Sequence, residues 1–120
     1  MDRAGWKKEI KAACEAVGTY KPPFDHVIDT LAGILEARDD AQEQFEKSGG
    51  HTVVKHVNKG GNPNIVKNPA LVVIDDLNKT ALQYWRDLGL TPAGLRRIDE
   101  KAMKPQRVNS LAEAMKALNG

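Results

Sequence analysis

Three histidines, His26, His51 and His56, and two adjacent carboxylate pairs, Asp39-Asp40 and Asp75-Asp76, are the side chains whose types could move protons or hold a metal. A zinc site needs three or four convergent ligands. His51 and His56 stand five positions apart, which on a strand places them on opposite faces, and no Cys, Asp or Glu lies between them. His26 belongs to a different element. Neighbouring carboxylates on a helix point in different directions and cannot act together on one bond. Gly60-Gly61 lacks the Lys-Ser/Thr that follows the glycines of a phosphate loop, and neither a nucleophile elbow nor an HExxH motif is present. No catalytic residue, metal ligand or cofactor is therefore assigned, and the chain reads as a non-enzyme.

Charge that could hold a phosphate is a different matter. Arg96, Arg97 and Lys101, followed by Lys104 and Arg107, cluster after a tight glycine turn. A basic helix presented by such a turn can meet the backbone of duplex DNA. Lys7, Lys8 and Lys11 form a second patch, with Trp6 nearby. The candidate nucleic-acid contacts are thus Lys7, Lys8, Lys11, Arg96, Arg97 and Lys101; the alternative for either patch is an ordinary solvated face.

The net charge of +2 hides a segregation by segment. Residues 24–47 carry seven acids against Arg38 and Lys47, residues 48–67 carry Lys55, Lys59 and Lys67 with no acid, and the stretch from Thr91 carries six basic residues against three acids. An acidic middle helix between basic flanks fits an electrostatic contact between subunits, or separate surfaces for DNA and a protein partner; a solvated helix face is the plain alternative.

These side chains need elements to position them. With 120 residues and 41% hydrophobic content, one small helical domain is expected, with a core lean enough that other subunits would complete it. The single cysteine, Cys14, excludes an internal disulfide, suits a reducing compartment and reads as a small core residue. No apolar run approaches the ~20 residues of a membrane span, and MDRAGWKKEI lacks a secretory signal, so a soluble cytoplasmic protein is expected.

The first helix runs from Arg3 to Val17, with Trp6, Ile10, Ala13 and Val17 on one face and Gly18 ending it. Pro23 opens a second helix reaching Lys47, whose seam is Phe24, Ile28, Leu31, Leu35, Arg38, Gln42 and Phe45 in coiled-coil-like alternation. Phe24, Ile28, Leu31, Leu35 and Arg38, together with Trp85, are the expected oligomer interface. Two extended pieces around Asn58–Asn62 predict a β-hairpin at about 51–66; alone it is marginally stable, so it must lie on a helix, pair with another chain, or stay mobile. Asn68-Pro69 caps and opens a third helix with Leu71, Ile74, Leu77, Ala81, Trp85 and Leu88 on its buried face. Gly89 is placed as its left-handed cap, Leu90 as the residue folding back. Thr91-Pro92 restarts a short helix to about Met103, interrupted by Gly94. Ser110 and Glu113 form a capping box for a last helix, Leu111 to Leu118. Residues 1–104 are expected to form the core and oligomerisation unit, and 105–120 a partner-binding tail.

Tyr20, Gly49-Gly50, Asn58 to Gly61, Asn68-Pro69-Ala70 and Leu88-Gly89-Leu90-Thr91-Pro92-Ala93 with Arg96-Arg97, in that order, give the chain its resemblance to the small terminase subunits of tailed phages, the P27 family. The resemblance covers about residues 20–98, and LGLTPAGLRR is its sharpest block. Members commonly carry His before Pro-Ala; here Asn68 stands there and keeps the capping chemistry. The elements read as mainly α, with long antiparallel helices, a small β-hairpin between helices two and three and short C-terminal helices; the resemblance implies a ring-forming homo-oligomer that does no catalysis. It implies recognition of viral double-stranded DNA and loading or regulation of the large terminase subunit, which holds the ATPase and nuclease. Two readings compete: a helix-turn-helix transcription regulator using helices three and four, and a helical adaptor that binds no DNA.

Overall fold

The computed structural model describes residues 1–101 and Met115; helix four beyond Lys101, the expected helix Leu111 to Leu118 and the 105–120 tail otherwise lie outside the described residues. The described part is mainly helical with one small antiparallel hairpin.

Local chemistry sets the helix ends. The Asp2 carboxylate accepts a hydrogen bond from the Gly5 N–H (2.8 Å) and caps α1, Arg3–Val17. Gly18, at φ +80°, turns the chain left-handed, and the Gly18 and Thr19 N–H groups satisfy the last carbonyls. After one 3-10 turn at Pro22–Phe24, α2 runs over Asp25–Lys47. Strands β1 (Val53–Val57) and β2 (Pro63–Lys67) pair from Val53 opposite Lys67 to Val57 opposite Pro63. Their turn is organised by Asn58, whose side-chain oxygen accepts from the N–H groups of Gly60 (3.0 Å) and Asn62 (3.1 Å). Asn68 caps α3, Pro69–Asp87, by accepting from the Ala70 N–H (3.0 Å). A further helix, α4, spans residues 92–101.

Helix α2 is the spine, with α1 and α3 packed along it. The Arg3 N–H reaches Glu36 while Tyr20 reaches Asp25, so α1 runs antiparallel to α2. Arg38 lies 3.5 Å from Asn78 and Thr19 donates to the Leu88 carbonyl, so α3 does too. Ile10 and Cys14 of α1, Ile28, Leu31, Ala32 and Leu35 of α2, and Ala81 and Leu88 of the α3 end form one buried cluster. Burying each large aliphatic side chain contributes about 1.5–3 kcal/mol. Cys14, rather than Val17, completes the buried face of α1, because Val17 is at the surface beside the terminating glycine.

One expectation needs correction here. Ile28, Leu31 and Leu35, assigned to an interface between subunits, are enclosed by the chain's own α1 and α3. Trp85 is half-buried against the same cluster, and Arg38 stacks over the Trp6 ring (5.5 Å) and pairs with Asp39 (3.0 Å). Phe24 alone of the six is exposed. A periodic apolar stripe reports that a face is buried without reporting by what.

Candidate nucleic-acid interface

The end of α3 is built to hold α4 at one angle. Gly89 sits at φ +73°, its N–H donating to the Arg86 carbonyl (2.9 Å) and that of Leu90 to the Trp85 carbonyl (2.8 Å). Leu90 packs back on the core. The Thr19 hydroxyl donates to the Leu88 carbonyl (2.7 Å), tying the turn to the α1–α2 loop. Thr91 then caps α4, accepting on its hydroxyl from the Gly94 N–H (3.0 Å). Gly94 does not break α4. It is buried and rests on the backbone of Arg86, a closeness that any side chain would prevent.

This crossing leaves a cleft of about 730 Å3 lined by Gln83, Arg86 and Asp87 of α3 and by Ala93, Gly94, Arg97, Ile98 and Lys101 of α4. Three cations, Arg86, Arg97 and Lys101, face it with one carboxylate. Among the described residues none of those three cations is in an ion pair. A guanidinium offers a planar fork of donors to a phosphate, and an ammonium a compact charge. By charge and geometry the arrangement is suited to an anion. Of the residues expected here, Arg97 and Lys101 line the cleft; Arg96 is exposed outside it. Arg86 and Gln83 were missed, because they sit on the preceding helix, and the small residue at Gly94 was the available sign that two elements approach closely.

The α1 patch is organised differently. Lys7, Lys8 and Lys11 do share a groove of about 420 Å3 with Ala4, Asp25 and Ile28. Yet Lys7 lies 3.6 Å from Asp29, and the Lys11 ammonium stands 4.9 Å over the Tyr20 ring. Asp29 is also gripped by the Arg3 guanidinium at 3.0 and 2.8 Å. The Arg3 hydrogen bonds hold the Asp29 carboxyl below the usual carboxylate range against a smaller opposing desolvation, with Lys7 adding to the effect. At Asp39 burial opposes ionisation, but the Trp6 indole N–H (2.7 Å) and the Arg38 guanidinium outweigh it and hold that carboxyl low as well. Arg3 and Lys7 thus fasten α1 to Asp29 of α2, whereas Lys8 and Lys11 are in no ion pair among the described residues.

The three histidines are exposed, and among the described residues no group of three metal-ligating side chains converges. No described helix is long and apolar enough to cross a membrane.

A family model described as phage terminase, small subunit, matches residues 3–105. The chain belongs to the phage terminase small-subunit family. The match extends the resemblance beyond residues 20–98 to take in α1 and the whole of α4. Neither the curated proteins nor the solved structures give a match. Membership supports a role in phage packaging and places this small subunit in a class generally free of catalysis. The large subunit and DNA are the partners that the family implies in general.

Proposed function

We propose that this small terminase subunit, of the P27 type, engages viral double-stranded DNA in the host cytoplasm. In this reading it assembles with copies of itself into a ring and loads the large subunit's ATPase and nuclease onto the DNA without catalysis of its own. The observation that carries the DNA contact is the α3–α4 cleft, where Arg86, Arg97 and Lys101 converge with no ion-pair partner among the described residues. Lys8 and Arg96, both exposed, supply outlying charge; Lys7 and Lys11 contribute less because they are engaged within the chain.

Retardation of duplex DNA over a salt series tests this. Binding that weakens with salt, with a slope of about −2 to −3 in log affinity against log salt, matches three neutralised phosphates at roughly 0.9 each. No retardation even near 50 mM salt would leave the DNA-independent adaptor. Light scattering separates the assembly readings, since a two-fold regulator is a dimer and a packaging ring is a larger cyclic assembly.

A further inference from the structure

The hairpin is bare on one face. Its register places Val53, Lys55 and Val57 of β1 opposite Lys67, Ile65 and Pro63 of β2, all on the same side of the ribbon. Val53, Val57 and Ile65 are 54, 63 and 68% exposed. The other face holds Val54 and Val66, each half-buried. The hairpin is tied to the helices chiefly at its base: Asn68 donates from its backbone to the Thr52 carbonyl and from its side chain to the His51 carbonyl, and Lys67 pairs with Asp75 at 3.0 Å. A two-stranded ribbon standing free is marginal, and clustered exposed apolar side chains mark an interaction surface.

A matching surface lies on the outside of α3. Val72 and Val73 are 45 and 50% exposed, and Asp76 follows one helical turn later on the same side. Lys67 engages Asp75, whereas Asp76 has no ion-pair partner among the described residues. Lys55 likewise has none, and it stands between Val53 and Val57. One surface is thus an apolar trio around a free lysine, the other a valine pair beside a free carboxylate. Within one chain they do not cover each other, as their exposures show.

We propose that the Val53–Lys55–Val57–Ile65 face of the hairpin docks on the Val72–Val73–Asp76 face of α3 in a second copy of the chain. Apolar surface meets apolar surface, and Lys55 meets Asp76 of the neighbour. Edge-to-edge pairing of two hairpins is disfavoured, because it gathers Lys55, Lys59 and Lys67 of both copies. Because the two patches differ, the contact is head-to-tail and propagates around a ring. This inference rests on the self-assembly part of the proposed function and supplies its interface.

Sedimentation of the full chain and its variants tests it. Ile65→Asp shifts the wild-type assembly to monomer while helical circular dichroism and the thermal midpoint of the monomer are retained, since Ile65 makes no core contact. Lys55→Glu and Asp76→Lys each weaken association several-fold, and Lys55→Glu combined with Asp76→Lys in one chain recovers it. Assembly of Ile65→Asp like the wild type, or no recovery in the combined variant, overturns this interface and leaves self-assembly standing. A wild-type chain that stays monomeric overturns both.

Discussion

Gly94 of α4 lies directly on the peptide of Arg86 in α3: a Cβ at position 94 would come within 2.9 Å of the Arg86 carbonyl carbon and closer still to its oxygen. This contact brings Arg97 and Lys101 to the same cleft as Arg86. A phosphate is then offered charge from two helices rather than from one.

Gly94→Ala should therefore destabilise the chain, although alanine is the better helix former by about 1 kcal/mol. Overpacking costs about 1–3 kcal/mol, and the obstructing atoms are backbone, which cannot rotate away. With backbone in the way the upper half of that range applies, so a net loss of about 1–2 kcal/mol is expected, read by thermal unfolding. DNA affinity should fall with it, although no cation has been removed.

Gly89→Val places a β-branched side chain at φ +73°, where its Cβ also meets Ile98 and Thr19 atoms at 3.0 Å. A loss of about 1–3 kcal/mol is expected. Unfolding at an unchanged temperature would contradict the left-handed turn.

Arg97→Ala with Lys101→Ala should reduce the salt slope of DNA binding by about 2, and Arg86→Ala by about 1. Lys7→Ala and Lys11→Ala should change that slope least, as both lie outside the α3–α4 cleft, Lys7 facing Asp29 and Lys11 lying over the Tyr20 ring. Equal effects at all five positions, measured by anisotropy titrations at several salt concentrations, would instead mark α1 as a DNA surface.

The paired carboxylates predict an acid limit. Asp29 and Asp39 both ionise at lower pH in the folded chain than in the unfolded one. Their contribution is present above about pH 4 and is lost as pH falls through the lowered folded values. Asp39→Asn should flatten the dependence of thermal midpoint on pH below about pH 4, with little added dependence between pH 5 and 8 from this group. Added salt should shrink the Asp29 part more, because that pair is at the surface.

Several elements were legible because their causes are local. Asn68, Gly18 and Gly89 act on backbone groups within a few positions of themselves, so a cap can be read from its neighbours. The α2 seam was legible as a buried face, yet Leu31 and Leu35 were assigned to the wrong partner. The spacing is the same whether α1 and α3 or another subunit covers them. Gly94 read as an interruption of α4, because glycine's weak helix propensity is visible in sequence and the Arg86 peptide beneath it is not.

The sequence by itself determined α1, α3 and most of α2, the turns at Gly18 and Gly89, the Asn68 cap, the hairpin and the family, since each depends on short-range periodicity, capping or the order of motifs. Tertiary structure alone decided which cations are in ion pairs among the described residues. Lys7 is met by Asp29, from a helix more than twenty positions away, while Arg97 and Lys101 share a cleft with a third cation, Arg86, and a single carboxylate, Asp87. How much charge is left over for a phosphate depends on the balance that folding brings together, and so on how α1, α2, α3 and α4 pack rather than on the composition of any one of them.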